Sequence, residues 1–128
     1  MEANNQSSPR VLIVDDETTI ADTLALILAK AGFQCRVAYH GSAAIDLAPQ
    51  WNPDILLCDV YMPGLNGIEI AIEIRTLFPQ CRILLLSGRA EVDDLLQEAR
   101  ARNFHFDLLV KPVHPAVLLK ILQNGPQL

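Results

Sequence analysis

Three features that this sequence lacks narrow the class of protein. No apolar run reaches the roughly 18 residues that a membrane-spanning helix needs, and the polar first nine residues lack the apolar core of a signal peptide. A basic excess is also missing, because the 128-residue chain carries a net charge of −5, which argues against direct binding of DNA or RNA. We therefore expect a cytoplasmic protein with no membrane or nucleic-acid partner.

Cysteine is scarce as well. The three cysteines, Cys35, Cys58 and Cys81, lie far apart and show neither the spacing of zinc ligands nor that of a disulfide framework. Each lies in or beside a predicted strand, so we expect buried, reduced thiols.

Strand and helix signals alternate along the whole chain. Predicted strands cover 10–15, 35–39, 54–59, 82–87 and 107–110, and predicted helices cover 17–31, 42–48, 66–77, 91–102 and 115–123. The inner strands are continuously apolar, as in parallel sheets that are covered on both faces. We expect an α/β fold, a three-layer sandwich with a five-stranded parallel sheet and right-handed crossovers. It would span 10–124, between a flexible tail 1–9 and a C-terminal tail 125–128.

Local signals predict where helices end and which faces they bury. Gly32 should end the first helix and Pro49 the second, and Ser42 should begin the second as its N-cap. The 3.6-residue spacing of apolar positions assigns Ile20 and Val117 to the buried faces of the first and last helices.

The segment 66–77 is ambiguous. Its isoleucines alternate with other residues at period two from Ile68 to Ile74, which by itself indicates a strand. A strand here would interrupt the regular alternation of strands and helices, and the same isoleucines form two adjacent rows on a helix. We therefore predict a helix.

Polar side chains follow four of the predicted strands. Asp15 and Asp16 follow the first, Asp59 closes the third, Ser87 the fourth, and Lys111 follows the fifth. In open parallel sheets, ligands bind beyond the carboxyl ends of the strands. Three carboxylates, a hydroxyl and an ammonium at this edge suit a divalent cation and a phosphoryl group.

The oxygen-only ligand set selects a hard cation, and Mg²⁺, or Mn²⁺ in its place, is the natural choice beside phosphate. We expect Asp16 and Asp59 to bind the metal directly, Asp15 to bind it through water, and a backbone carbonyl just past Asp59 to add a ligand. With one carboxylate oxygen uncoordinated, Asp59 could attack phosphorus and form an acyl phosphate.

Each of these residues also has an ordinary structural explanation. Asp15 and Asp16 could stabilise a helix N-terminus, Asp59 could begin a turn, Ser87 could be a loop residue, and Lys111 could be a solvated surface lysine. An aspartyl-nucleophile phosphatase or phosphotransferase is a rival from another class.

Four fragments together resemble a known family: Val-Asp15-Asp16-Glu17, Asp59-Val-Tyr-Met-Pro-Gly-Leu-Asn-Gly67, Ser87 after an apolar strand, and Lys111-Pro112. They resemble the receiver domain of two-component response regulators, similar to the chemotaxis response regulator, over residues 10–123. The resemblance implies a flavodoxin-like sheet of order 2-1-3-4-5 and a cis Lys111–Pro112 peptide bond.

The resemblance also implies a role for each site residue. Asp59 would accept phosphate from a sensor histidine kinase or a histidine phosphotransfer protein, and would not turn over substrate as an enzyme does. Asp15 and Asp16 would hold Mg²⁺ with the backbone carbonyl of Tyr61. Ser87, followed by Gly88, would be the switch hydroxyl.

Lys111 would sense the phosphoryl group in the same family pattern. The output would be an altered contact with an effector protein or, as a further option, a phosphorylation-dependent homodimer. Helix 91–102, strand 107–110 and helix 115–123 would form the partner surface. We interpret the chain as a stand-alone regulator. One alternative is a fragment of a larger regulator or hybrid kinase. Another is a receiver-like module that no longer takes phosphate.

The sequence departs from the family pattern at Leu108, where receivers usually carry an aromatic switch residue. Either Phe106 or Phe104 substitutes for it, or signalling uses loop 87–92 and helix 91–102 without a rotating ring.

Two bulky residues flank the expected path of the hydrolytic water. Tyr61 lies two positions past Asp59, and Arg89 lies two positions past Ser87. We therefore expect a long-lived acyl phosphate. An aspartyl-nucleophile phosphatase would need a second aspartate two residues after the nucleophile, and Tyr61 occupies that position here.

Overall fold

The structure, a computed structural model, describes residues 8–88 and 92–124. Most of the expected N-terminal tail 1–9, all of the tail 125–128 and the loop positions 89–91 lie outside the described residues. Strands and helices alternate in the order β1 (Arg10–Val14), α1 (Thr18–Lys30), β2 (Gln34–Ala38), α2 (Gly41–Trp51), β3 (Ile55–Asp59), α3 (Gly67–Leu77), β4 (Arg82–Ser87), α4 (Val92–Ala101), β5 (Asp107–Val110) and α5 (Pro115–Gln123). No helix within the described residues combines the length and the apolar character needed to cross a membrane.

The five strands form one parallel sheet in the order β2-β1-β3-β4-β5, which confirms the predicted topology. Strand β3 is buried along its whole length because strands flank it and helices cover both faces. Helices α2, α3 and α4 pack on one face of the sheet, and α1 and α5 pack on the other. The result is the expected three-layer sandwich, with a hydrophobic layer on each side of the sheet.

The ambiguous segment 66–77 is a helix, as predicted. Asn66 begins α3, and its side chain accepts a hydrogen bond from the backbone N–H of Glu69 at 3.0 Å. Ile68, Ile70 and Ile74 are buried, so the period-two pattern arose from a wide apolar helix face packed against the sheet.

The predicted limits of α2 are wrong at both ends. His40, not Ser42, is the N-cap, and Pro49 lies inside the helix, which continues to Trp51. Proline removes one backbone hydrogen bond from a helix. The helix nevertheless continues, because Trp51 is buried in the core and Asn52 closes the helix with a left-handed backbone conformation. Packing of the last turn therefore outweighs the local signal.

The predicted burial of two residues is also wrong, since Ile20 is 39% exposed and Val117 is 52% exposed. The buried face of α1 is centred on Ala21, Leu24 and Leu28, which lets the helix approach the sheet through a small residue. Both helices also carry fully buried side chains, Leu28 in α1 and Leu118 in α5, so the spacing identified a buried face but not how far it extends.

The helix-ending glycine and the cysteines fit the predictions more closely. Gly32 follows α1 with a φ of +104°, a conformation that favours glycine. Cys58 and Cys81 are buried reduced thiols, and Cys35 is half-buried. Burial raises the pKa of all three thiols above the ordinary value, to about 12 for Cys81.

Candidate functional site

Two neighbouring strands bring the central carboxylates together. Strand β1 ends at Val14, which pairs with Cys58 of β3, so Asp15 and Asp59 follow at the same level of the sheet. Both are buried, with 1% and 7% of their surfaces exposed. Two acidic groups buried side by side need a positive charge to remain ionised at low cost.

Strands β4 and β5 supply the hydroxyl and the ammonium from the other side of Asp59. Ser87 ends β4, is 1% exposed and pairs with Val110, the last residue of β5. The backbone N–H of Lys111 then donates to the carbonyl oxygen of Ser87 at 2.9 Å. The Lys111–Pro112 peptide bond is cis, as expected.

The Lys111 ammonium lies among three carboxylates. Its Nζ is 3.2 Å from Asp15 Oδ2, 3.4 Å from Asp59 Oδ2 and 3.6 Å from Glu17 Oε1. Glu17 was quoted in the motif but not predicted as a site residue. The available signal was its position in the turn after β1, where its backbone N–H donates to Asp15 Oδ1 at 3.0 Å.

The pKa of Asp59 is raised above its ordinary value, mainly because burial disfavours the carboxylate. The charge of Lys111 and a hydrogen bond from the backbone N–H of Tyr61 oppose this shift, and the nearby Asp15 adds to it. Burial alone would lower the pKa of Lys111, but the charges of Asp59 and Asp15 outweigh it and raise the pKa. The lysine is therefore held in its charged form.

The acidic cluster also fits a divalent cation. One carboxylate oxygen from each of Asp15, Glu17 and Asp59 lies within 4.8 Å of the others, a set of hard donors that suits Mg²⁺. Asp16 is exposed and is not part of this set. It lines a neighbouring cleft of about 410 Å³ together with Tyr61, Met62, Pro63 and Asn66.

Gly67 fixes the backbone next to Asp59. Its N–H donates to the carbonyl oxygen of Val60 at 2.7 Å, which closes the loop between β3 and α3. A Cβ at position 67 would lie 2.8 Å from the Val60 Cα and would also collide with the Asp59 carbonyl group. Only glycine lets α3 begin this close to the end of β3.

The remaining predicted positions lie at varying distances from Asp59. Gly88 is exposed beside Lys111, and a Cβ there would be 3.7 Å from the Lys111 Cβ. Pro112 is exposed on the far side of the lysine. Arg89 lies outside the described residues, as does most of the loop 87–92 beyond Gly88.

The phenylalanines considered as substitutes for the aromatic switch residue lie away from the carboxyl edge. Leu108 is half-buried and packs against the core. Phe104 and Phe106 stack at a centroid distance of 6.1 Å, and the register places Phe106 level with Ile83, four residues before Ser87. At about 3.3 Å per residue, that separation is roughly 13 Å along the sheet. Neither ring lies beside Ser87 in this conformation.

An apolar groove borders the carboxyl edge on the side of Lys111. It has a volume of about 470 Å³ and lies between α1 and the segment 111–115. Its walls include Ile20, Leu24 and Val113, and the exposure of Ile20 is explained by this groove.

These features define a parallel α/β protein with an acidic pocket and a single paired lysine. A family model described as the response regulator receiver domain matches residues 11–123. The chemotaxis protein CheY4 of Vibrio cholerae is a similar solved structure, with 31% identity, a TM-score of 0.82 and coverage of 92% of this chain and 98% of that chain.

Two further structures are similar over most of their lengths. A putative response regulator from Chloroflexus aurantiacus shares 32% identity with a TM-score of 0.78, covering 91% of this chain and 96% of that one. TrrA of Thermotoga maritima, solved in complex with Mg(2+)-BeF, shares 28% identity with a TM-score of 0.78 and covers 91% and 97%. The chain belongs to the response regulator receiver domain family of two-component signalling.

Proposed function

We propose that Asp59 is the phosphoacceptor of this receiver domain and that its phosphorylation depends on Mg²⁺. The observation that carries this proposal is the convergence of Asp15 and Asp59 on Lys111, whose Nζ lies 3.2 Å from Asp15 Oδ2 and 3.4 Å from Asp59 Oδ2. Receiver domains accept phosphoryl groups and are not turnover enzymes, and the same is proposed here.

The proposed reaction is a phosphoryl transfer from a phosphohistidine donor. An Asp59 carboxylate oxygen attacks phosphorus, a P–O bond forms, and the P–N bond to the donor imidazole breaks in line with it. The imidazole leaves with the electron pair of that bond and takes a proton from solvent. The ionised form of Asp59 is the nucleophile, and Lys111 favours that form.

Lys111 and Ser87 would then hold the transferred group. Three new phosphoryl oxygens give the ammonium a stronger partner than the Asp15 carboxylate that it contacts at 3.2 Å. The Ser87 hydroxyl, at the end of the strand paired with β3, would donate to another phosphoryl oxygen. A shift of these two side chains is the local event that would alter the surface.

Asp15, Asp16 and Asp59, with the backbone carbonyl of Tyr61, are the proposed metal ligands. Glu17 is a further carboxylate in reach. Bound Mg²⁺, or Mn²⁺, would supply positive charge opposite the phosphoryl oxygens. The similarity to TrrA, whose structure contains Mg(2+)-BeF, supports this assignment.

The proposed phosphodonor is a sensor histidine kinase or a histidine phosphotransfer protein. Its histidine must reach Asp59 at the carboxyl edge, so its surface must cover residues around Lys111. The apolar groove beside α1 is continuous with that edge through Lys111 and Pro112. We assign this groove to the donor protein, because apolar surface next to a charged site favours docking there.

The output would be a protein contact changed by phosphorylation, at the surface formed by α4, β5 and α5. Val110 and Val117 are exposed there, at 71% and 52%. An effector protein is the expected partner, with a phosphorylation-dependent homodimer as the second option. The stand-alone regulator stays a prediction, as does the larger regulator or hybrid kinase. Because a histidine kinase draws its phosphate from ATP, the proposed location is the cytoplasm.

Intact-mass measurement tests the acceptor directly. Incubation with acetyl phosphate and Mg²⁺ is expected to add one phosphoryl group to the wild-type chain and none to Asp59→Asn. Chelation of the metal should prevent the addition. Equal phosphorylation of the variant would refute the assignment, and multiple turnovers of p-nitrophenyl phosphate per chain would instead favour the phosphatase rival.

A further inference from the structure

A second pocket lies at the opposite end of the sheet from Asp59. Strand β4 begins at Arg82, but its pairing with β5 begins only at Leu84 and Asp107. The first two residues of β4 therefore extend past the edge strand and leave a step in the sheet. A pocket of about 590 Å³ fills this step and is bounded by the segments 79–84 and 105–109, together with Arg75 and Ile121.

Two arginines with incomplete hydrogen bonding line this pocket. The Nε atoms of Arg75 and Arg82 are buried and have no hydrogen-bond partner. Arg82 donates from Nη1 to the carbonyl oxygen of Ile121 at 3.0 Å, and the Arg75 guanidinium lies 5.4 Å from the Phe106 ring centroid. Within the described residues, no carboxylate lies within 4.0 Å of either guanidinium. Both side chains are half-buried, but a buried N–H donor atom is costly to leave without a hydrogen-bond partner.

The charge around the pocket is positive on balance. Asp107 is the one acidic residue of its described wall, against Arg75 and Arg82, and it is exposed. Asp54 does not line the pocket, although its carbonyl oxygen accepts a hydrogen bond from the Arg82 backbone N–H at 2.9 Å, and its carboxylate accepts one from the Arg10 backbone N–H. The wall therefore carries two cations and one anion, although the chain as a whole has a net charge of −5.

Most of the remaining wall is apolar, with Gln80 and His105 as its polar members. Leu84, Leu108, Leu109 and Ile121 contribute to it, together with Pro79. Such a lining would bury the hydrocarbon part of a ligand whose charged group met the arginines.

We propose that this step in the sheet is a binding site for a small organic anion, a carboxylate or phosphate monoester with an apolar body. The anion would accept hydrogen bonds from the Arg75 and Arg82 guanidinium groups, and its apolar part would lie against the leucines of β4 and β5. The site shares no residue with the phosphoacceptor pocket. It therefore holds or fails independently of the proposed phosphorylation.

Titration of the ¹⁵N-labelled, unphosphorylated chain with 4-ethylbenzoate, and separately with inorganic phosphate, tests the site by two-dimensional NMR. Saturable shifts are expected at the amides of 80–84 and 105–109, with the benzoate binding more tightly because of its apolar body. Arg82→Gln and Arg75→Gln should each weaken binding by about tenfold or more, as expected for loss of a hydrogen bond to a charged group. Arg100→Gln, on the exposed face of α4, is the matched control and should bind as wild type does.

A further variant guards against loss of folding. Gln80 is exposed at the rim of the pocket, so Gln80→Glu should leave the fold intact and weaken anion binding by charge repulsion alone. Shifts that do not saturate, that spread over the whole surface, or that persist equally in Gln80→Glu and Arg82→Gln would overturn the site. Saturable binding of phosphate with no preference for the benzoate would refute the apolar part of the proposal.

Discussion

The Nζ of Lys111 lies 3.4 Å from the Oδ2 of Asp59, although 52 positions separate the two residues in the chain. The ammonium also contacts Asp15, and the Lys111 side chain is only 19% exposed. It therefore offsets repulsion between two buried carboxylates. A phosphoryl group on Asp59 would compete for the same ammonium, which couples acceptance of phosphate to a change in this ion pair.

Removal of that ammonium is expected to destabilise the chain in the absence of metal. Lys111→Met should lower the free energy of unfolding at neutral pH by about 1–3 kcal/mol, because buried carboxylates lose their charged partner. Excess Mg²⁺ should restore more stability to this variant than it adds to wild type. Urea unfolding with and without Mg²⁺ measures both effects, and Lys120→Met on the exposed side of α5 is the control. A variant as stable as wild type without metal would contradict the expectation.

A methyl group at position 67 is expected to disturb the acceptor. Gly67→Ala would place a Cβ against the backbone of Asp59 and Val60, so α3 or the end of β3 must move. We expect a loss of about 1–3 kcal/mol in stability and slower phosphorylation by acetyl phosphate. Gly88→Ala is the stability control, since its Cβ would make only an ordinary contact at 3.7 Å. Equal unfolding midpoints for the two variants would count against a tight approach at Gly67.

A charge in the groove beside α1 should distinguish protein donors from small donors. The donor is an autophosphorylated sensor kinase that phosphorylates the wild-type chain. Ile20→Glu is expected to slow phosphotransfer from this kinase by about tenfold, which corresponds to a loss of about 1.4 kcal/mol in binding free energy. Phosphorylation by acetyl phosphate should not change. Leu26→Glu, on an exposed position of the same helix outside the groove, is the matched control. Equal kinase-dependent rates for both variants would remove the docking assignment.

Hydrolysis of the acyl phosphate is expected to be faster without the ring at position 61. Tyr61 is half-buried beside Asp59, and Tyr61→Ala would open a path for water. The decay of the phosphorylated species is followed by intact mass after removal of the donor, with Arg89→Ala measured alongside. If both variants decay at the wild-type rate, the side chains at positions 61 and 89 do not slow hydrolysis, and the expectation of a long-lived acyl phosphate loses its basis.

The Tyr39 phenol is expected to ionise above its ordinary pKa of about 10. Its hydroxyl donates to Asp22 Oδ1 at 2.6 Å, and this hydrogen bond to a carboxylate raises the pKa by favouring the protonated phenol. Since the folded state holds this proton more tightly, the contribution to stability is present below about pH 10 and is lost as the pH rises through the folded pKa. Absorbance near 295 nm should show a lower pKa in Asp22→Asn. Tyr39→Phe isolates the signal of Tyr61, the other tyrosine.

The proposed ring substitution at the missing aromatic position has little geometric support. Phe106 stacks on Phe104 at the amino end of β5, whereas Ser87 lies at the carboxyl end of β4. Structures with and without a phosphate mimic would decide between the two options. Movement of the loop after Ser87 with unchanged rings would favour signalling without an aromatic switch.

Much of the architecture followed from the sequence because it rests on local signals. Continuous apolar strands, each followed by an amphipathic segment, restrict the chain to a few parallel α/β topologies. The carboxyl ends of parallel strands meet at one edge, so residues directly after those strands could be assigned to a common site. Asp15, Asp59, Ser87 and Lys111 were found this way.

Other features depend on contacts between distant parts of the chain, which local periodicity does not record. Pro49 stays inside α2 because Trp51 is buried beyond it, and Ile20 is exposed because it borders the groove between α1 and the segment 111–115.

The fold of the turn after β1 against β5 likewise decided two features of the site. It places Glu17 beside Lys111 and leaves Asp16 exposed. The sequence alone determined which strand ends carry charge. Only tertiary packing decided which of those charges are in contact, because a shift of one position along the turn points a side chain in the opposite direction.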